Sequence, residues 1–235
     1  MNLDTSQIIG KKILVLTAHP DDESFLAAGT IYENHKANGE TYLVCATLGE
    51  KGSSHLEEEL TSEELQEVRK KELHTACAEL GMTKDFILKF PDGRVNEHED
   101  DLLVQASKLC EQLKPELILS FGEDGITGHK DHIAVSKVAQ KLADNFTLPL
   151  AMFCIPHELA SEAEEWLKTR RKTEGHYDAN PINFQKENIT IPINGEVKLR
   201  ALKHYCSQID REDPFHGFPA HVADTLLKQE CFHLK

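Results

Sequence analysis

Five short apolar runs, each followed by a segment of helical character, constrain this chain more than any other feature. "KILVLTA" (12–18), "TYLVCATL" (41–48), "DFILKF" (85–90), "ELILSF" (116–121) and "LPLAMFCI" (148–155) read as strands. They are continuous apolar runs and not alternating ones, so both faces of each strand must be covered. Between them lie four helical segments. The first, 23–39, closes at Gly39; the second, 61–81, opens on a Thr61/Ser62 cap with Glu63 and Glu64 in its first turn and ends at Gly81. The third, 98–114, stops before Pro115, and the fourth covers 129–145. Strand and helix thus alternate as far as about residue 155. That order predicts an α/β fold: a Rossmann-like three-layer sandwich with a mainly parallel sheet and right-handed crossovers.

The remainder, 156–235, is less regular. "ELASEAEEWLKTRRK" reads as helix, "ENITIPI" as a short strand, "GEVKLRALKHYCSQID" as helix, and the stretch from Arg211 onward as mixed. No linker, repeat or low-complexity segment interrupts the chain. The expectation is one domain over 1–235, with an α/β core at about 12–155 and a C-terminal extension over 156–235.

Composition narrows the function. A formal net charge of −14 disfavours nucleic acid and anionic membrane, which both reward basic faces. The longest apolar runs, about six residues, fall far short of a bilayer span, so no integral membrane segment is expected. "MNLDTSQIIGKK" lacks a charged-then-apolar leader, and a cytoplasmic protein is expected. The six cysteines are dispersed with no CxxC pair, which argues against a zinc ribbon or a thioredoxin-type site. Cys45 and Cys154 lie in strand-like runs and are expected as buried free thiols. The sequons at Asn145 and Asn188 carry no meaning in a cytoplasmic protein.

The chemistry sits where the first apolar run ends, in "AHPDDE" (18–23). In open α/β sheets, ligands bind beyond the carboxyl ends of the strands. A dinucleotide fingerprint, GxGxxG, is missing from this turn, and its carboxylates would repel phosphate. Carboxylate plus imidazole suits a divalent cation instead. A second polar cluster, "GEDGITGHKDHIAV" (122–135), follows the fourth run and puts His129 and His132 at i, i+3 where a helix begins. Each cluster alone has a plain explanation, as dipole-favoured acids or as capping and surface histidines. Both together, each after a strand and before a helix, argue for a metal site. Two imidazoles and one carboxylate leave zinc an open position, the arrangement of hydrolytic centres.

These residues also resemble a known family. "AHPDDE" followed by "GHKDH" is similar to the LmbE-like, PIG-L-type zinc de-N-acetylases, which remove acetyl groups from N-acetylglucosaminyl compounds. "LGEKG" (48–52), Arg69 with Glu72, "FPDGRV" around Asp92, Gly93 and Arg94, and "KLRALKHYCSQI" fit the same pattern, over about residues 12–210. One position departs: two residues before Ser207-Gln208 the family commonly has His, and this chain has Tyr205.

The resemblance implies that His19, Asp22 and His132 hold zinc (Zn²⁺), with Fe(II) accepted by the same donors. It implies Asp21 as general base toward the water the metal activates, and His129 as stabiliser of the oxyanion or proton donor to the leaving amine. Asp131 either balances a cationic His129 or orients it. Arg69 and Arg94 are candidate substrate contacts; for Arg69 the alternative is an exposed helix residue paired with a neighbouring Glu. Glu23 is expected to orient the loop, Glu50 is a minor site candidate, and His216 and His221 could border the pocket. The implied partner is a small-molecule N-acetylated amino-sugar substrate; a homo-oligomer is left open. Two rival readings remain: an amidase acting on another amide, such as a thiol conjugate, and a metal- or sugar-binding module without turnover.

Overall fold

The computed structural model describes residues 4–52, 54–56, 60–173, 184–210, 212–215 and 218–235. In chain order its main elements are β1 (Lys12–Thr17), α1 (Asp22–Lys36), β2 (Glu40–Thr47), α2 (Ser62–Glu79), β3 (Lys84–Phe90), α3 (Glu99–Leu113) and β4 (Leu117–Phe121). There follow a short turn of helix α4 (Gly125–Gly128), α5 (Lys130–Phe146), β5 (Leu150–Cys154), α6 (Ala160–Thr173), β6 (Ile189–Pro192), α7 (Gly195–Leu202), α8 (Ala220–Leu226) and β7 (Gln229–Leu234).

The first apolar run is the central strand. β1 pairs in parallel with β2 on one side and with β4 on the other, Val15 standing opposite both Leu43 and Leu119. The sheet order is β3-β2-β1-β4-β5-β7-β6. The chain runs outward from β1 to β3, then crosses back to β4 and runs outward the other way. Strand order therefore reverses between β1 and β4, and the loops leaving those two strands diverge to open a crevice.

Helices cover both faces. α1 and α2 pack with α7, while α3 packs with α5. That is why Ile13, Leu14, Val15 and Leu16 are all fully buried although they are consecutive. Local chemistry sets the helix ends. Thr61 Oγ1 accepts the Glu64 N–H while the Glu64 carboxylate accepts the Thr61 N–H, a complete capping box. α3 stops because Pro115 disfavours helical backbone at Lys114, which adopts φ 51° instead.

The tail differs from expectation in two ways. It completes the sheet: β7, which the sequence pattern does not single out, inserts antiparallel between β5 and β6, with Phe232 opposite both Phe153 and Ile189. A buried ion pair, Lys198 Nζ to Glu230 Oε1 at 2.9 Å, ties α7 to β7. The same lysine donates to the carbonyls of Phe25 and Leu226, and Glu230 accepts the Gly29 and Thr30 N–H groups of α1. Second, the helix expected over 195–210 ends at Leu202. Turns then carry Tyr205 and Ser207 inward, where two buried carboxylates, Glu23 and Glu72, hold their hydroxyls. Among the described residues no helix is long and apolar enough to cross a membrane.

Candidate metal centre

Both polar clusters emerge at the carboxyl ends of β1 and β4, at the reversal of strand order. The first turn is strained. Asp21, the residue before α1, holds φ 110°, a conformation that L side chains rarely adopt and that concentrates at functional sites. Its N–H is held by Glu23 Oε2 at 3.3 Å. The loop after β4 is equally constrained, with Gly125, Ile126 and Gly128 all at positive φ. A Cβ on Gly125 would lie 2.8 Å from that of His132, so glycine is what lets this loop close over the imidazole.

His19, His132 and Asp22 converge, and their hydrogen bonds dictate how. His132 Nδ1 faces the Gly125 carbonyl at 3.1 Å, so it carries the proton and donates it, leaving a lone pair on Nε2. His19 Nε2 faces Asp92 Oδ1 at 3.2 Å and Asp131 Oδ2 at 3.3 Å, so it carries the proton and Nδ1 has the lone pair. The two lone-pair nitrogens lie 3.2 Å apart. Asp22 Oδ1 is 3.2 Å from His132 Nε2, and Asp22 Oδ2 lies 3.8 Å from His19 Nδ1 while accepting the Ala18 and His19 N–H groups. Acceptors so placed repel one another unless a proton or a cation lies among them. Tetrahedral zinc, with bonds of about 2.0–2.1 Å, needs donor atoms about 3.3 Å apart. The His19–His132 and His132–Asp22 separations, 3.2 Å each, match that spacing, and the His19–Asp22 separation of 3.8 Å is longer.

Ionisation follows the same logic. Burial opposes charge on His19, yet the carboxylates of Asp131, Asp92 and Asp22 push it up to about 10. Without a cation, Nδ1 therefore carries a second proton toward His132 Nε2, and it is the release of that proton that frees the Nδ1 lone pair for a metal. Burial would also raise Asp22, but the imidazoles of His132 and His19 hold it well below the usual carboxylate range. Asp21 goes the other way: burial raises it to about 7, against the Arg69 guanidinium, which draws it down. Burial likewise raises Glu23 to about 6 despite hydrogen bonds from Ser24 and Tyr205.

The remaining expected site residues take specific places. His129 is the N-cap of α5, and its Nδ1 accepts the Asp131 N–H at 3.2 Å. A neutral His129 therefore carries its proton on Nε2; its ring centroid lies 4.8 Å from that of His19 and 4.9 Å from that of His132. The Asp131 carboxylate is fully buried and accepts from the Gly93 and Val95 N–H groups, besides facing His19. It is His19 that this carboxylate orients. Arg69 is buried and not an exposed helix residue. Its guanidinium donates to the carbonyls of Gly49 and Pro20, at 2.6 and 2.8 Å, and to Asp21 Oδ2 at 3.2 Å. The half-exposed guanidinium of Arg94 pairs with Glu97, three residues on. His221 pairs with Glu162; His216 lies outside the described residues.

The sequence assigns no role to several residues that contribute here. Asp92 lies beyond β3 at the same sheet edge, its position fixed by the Lys51 N–H and by Glu50, which accepts the Asp92 N–H. Strand-end placement, the argument applied to "AHPDDE", applies equally to Asp92. Phe121, the last residue of β4, stacks on His132 with centroids 4.1 Å apart. Tyr205 Oη donates to Glu23 Oε1 at 2.5 Å, so the tyrosine that departs from the family pattern braces the turn carrying Asp21.

Comparison with known proteins identifies the family and the fold. The PIG-L family, described as GlcNAc-PI de-N-acetylase, matches residues 14–143. A 1D-myo-inositol 2-acetamido-2-deoxy-alpha-D-glucopyranoside deacetylase from Corynebacterium diphtheriae is 28% identical over 63% of this chain and 57% of its own length. The protein of that description from Streptomyces griseus subsp. griseus is 26% identical over 95% of this chain and 83% of its own. Among solved structures, an N,N'-diacetylchitobiose deacetylase from Pyrococcus horikoshii superposes with a TM-score of 0.63 at 21% identity, covering 96% of this chain and 84% of that one, and shares the fold. Enzymes of this family are metal-dependent hydrolases.

Proposed function

We propose, from the premise that this chain belongs to the PIG-L family of de-N-acetylases, that it removes the acetyl group from an N-acetylglucosaminyl conjugate at a zinc centre held by His19, Asp22 and His132. The observation that carries the reading is the convergence of two imidazole lone pairs 3.2 Å apart with a carboxylate oxygen 3.2 Å from one of them, beside a separate half-buried carboxylate, Asp21. When bound, the metal supplies Lewis-acid chemistry, activating water and polarising the amide carbonyl.

The protein groups divide the remaining work. Asp21, raised toward neutrality, accepts the proton lost as attack begins and returns it to the leaving amine. Arg69 keeps that carboxylate in place and partly ionised. His129, neutral because its Nδ1 accepts a backbone N–H, offers its Nε2–H to the carbonyl oxygen as negative charge develops there. Asp92 and Asp131 hold the His19 Nε2–H, which keeps Nδ1 turned to the metal. Six free cysteines accord with a cytoplasmic setting.

The test is acetate release from a panel of N-acetylglucosamine conjugates, with amine formation measured in parallel. Equal acetate and amine, abolished by a chelator and restored by zinc, is the expected result. A protein holding one equivalent of metal that cleaves none of them would overturn the proposal. Cleavage confined to larger amides would show an amidase instead.

A further inference from the structure

A cavity of about 720 Å³ opens from the metal centre and continues well past it. Asp21, Asp22 and His132 form one end. The rest is walled by a file of aromatic rings that the proposed chemistry does not use. Phe25 starts it, three residues after Asp22 and so on the same face of α1. Phe25 meets Phe215 edge to face at 6.0 Å, Phe215 meets Phe218 likewise at 5.9 Å, and Phe218 stacks on Trp166 of α6 at 4.7 Å. All four line the cavity. Phe25, Phe218 and Trp166 keep part of their surface open, unlike the sealed core phenylalanines Phe121 and Phe232.

Charge around this file is one-sided. Glu162, Asp210 and Asp213 border the cavity. Among its described lining residues the one Lys or Arg is Lys198, and that ammonium is committed to Glu230 and to two carbonyls. Among the described lining residues, a phosphate or carboxylate in this arm would meet these acids with no lysine or arginine open to balance it, and the His221 imidazole beside it is already paired with Glu162. Apolar surface, in contrast, gains from burial against the rings.

From this we infer that the aromatic file from Phe25 to Trp166 binds the aglycone of the substrate, and that this aglycone is apolar and uncharged, an alkyl or aryl glycoside of N-acetylglucosamine. The inference rests on the deacetylase reading for the sugar end, and on the aromatic file for the other end.

Trp166 is the sole tryptophan of the chain, so its emission reports the groove without any turnover. The full-length, zinc-loaded protein is titrated with hexyl N-acetylglucosaminide, with N-acetylglucosamine and with N-acetylglucosamine 1-phosphate; kcat/KM for acetate release is measured on the same three. The hexyl glycoside is expected to shift the emission and to saturate at a concentration at least tenfold below the free sugar. The phosphate is expected to be the weakest, and kcat/KM to follow the same order. Phe218→Ala is expected to shrink the hexyl-to-free ratio to under threefold, with Phe218→Leu, which keeps more of the volume, in between. Equal affinity for all three ligands, or a ratio indifferent to both Phe218 variants, would overturn the inference. Emission changes without acetate from any ligand would leave the groove standing and remove the deacetylase reading; acetate at equal rates from all three would do the reverse.

Discussion

His19 Nδ1 lies 3.2 Å from His132 Nε2 although the two residues are 113 positions apart in the chain. Each ring has its other nitrogen fixed, His19 by Asp92 and Asp131 and His132 by the Gly125 carbonyl. The pair is therefore prepared to share a cation before one arrives. Binding should stabilise the fold: a hundredfold excess over Kd contributes about 2.7 kcal/mol, or roughly 5–10 °C in Tm for a chain of this size. Scanning calorimetry with zinc and with chelator measures it. His132→Ala is expected to abolish both the shift and one-equivalent metal binding.

Asp21→Asn tests the proton acceptor. Asparagine keeps the size and the Arg69 contact while losing the basic oxygen. We expect kcat to fall about a hundred- to ten-thousand-fold, with metal content unchanged. An undiminished kcat at full metal loading would remove Asp21 from the chemistry.

The acid side of the pH profile belongs to the same residue. Burial raises Asp21 to about 7, and a general base works only when ionised, so activity is lost as pH falls through its titration. A bound cation lowers that titration further, placing the limb at or below 7 in the loaded enzyme. Arg69 opposes the burial effect. Arg69→Met should therefore move the acid limb of kcat/KM to higher pH, a change that loss of a substrate contact would not produce.

Gly49→Ala should reach the same carboxylate indirectly. Gly49 sits at φ +66°, and a Cβ there would lie 1.9 Å from Arg69 Nη1. The guanidinium must shift, withdrawing from Asp21. Activity should fall at least tenfold with metal binding retained, read by kcat alongside metal titration.

The Lys198–Glu230 pair predicts a non-additive result. Both side chains are buried, so Lys198→Met alone strands the Glu230 charge and should cost about 3–5 kcal/mol. Adding Glu230→Gln removes the stranded charge while keeping an oxygen for the Gly29 and Thr30 N–H groups, and should recover a large part of the loss in denaturant melts.

Much of this protein is legible in local pattern. Five continuous apolar runs require a sheet covered on both faces, and Thr61 with Glu64, or Lys114 before Pro115, set helix ends through neighbours a few residues away. The placement of "AHPDDE" and "GHKDH" after strands and before helices already points to one polar edge. What local pattern could not convey is which partner a long side chain reaches. Arg69 and Arg94 look alike as sequence, yet one is buried on Asp21 and the other lies on the surface with Glu97. β7 was hidden because its short run, "QECFHL", becomes a strand only by pairing with β5 and β6. The ring nitrogen each histidine presents, the bracing of Glu23 by Tyr205 and the aromatic file beside the centre likewise depend on contacts between distant segments. Tertiary packing alone decides these, because hydrogen bonds and ring contacts form wherever the fold brings atoms within a few ångströms, whatever their separation along the chain.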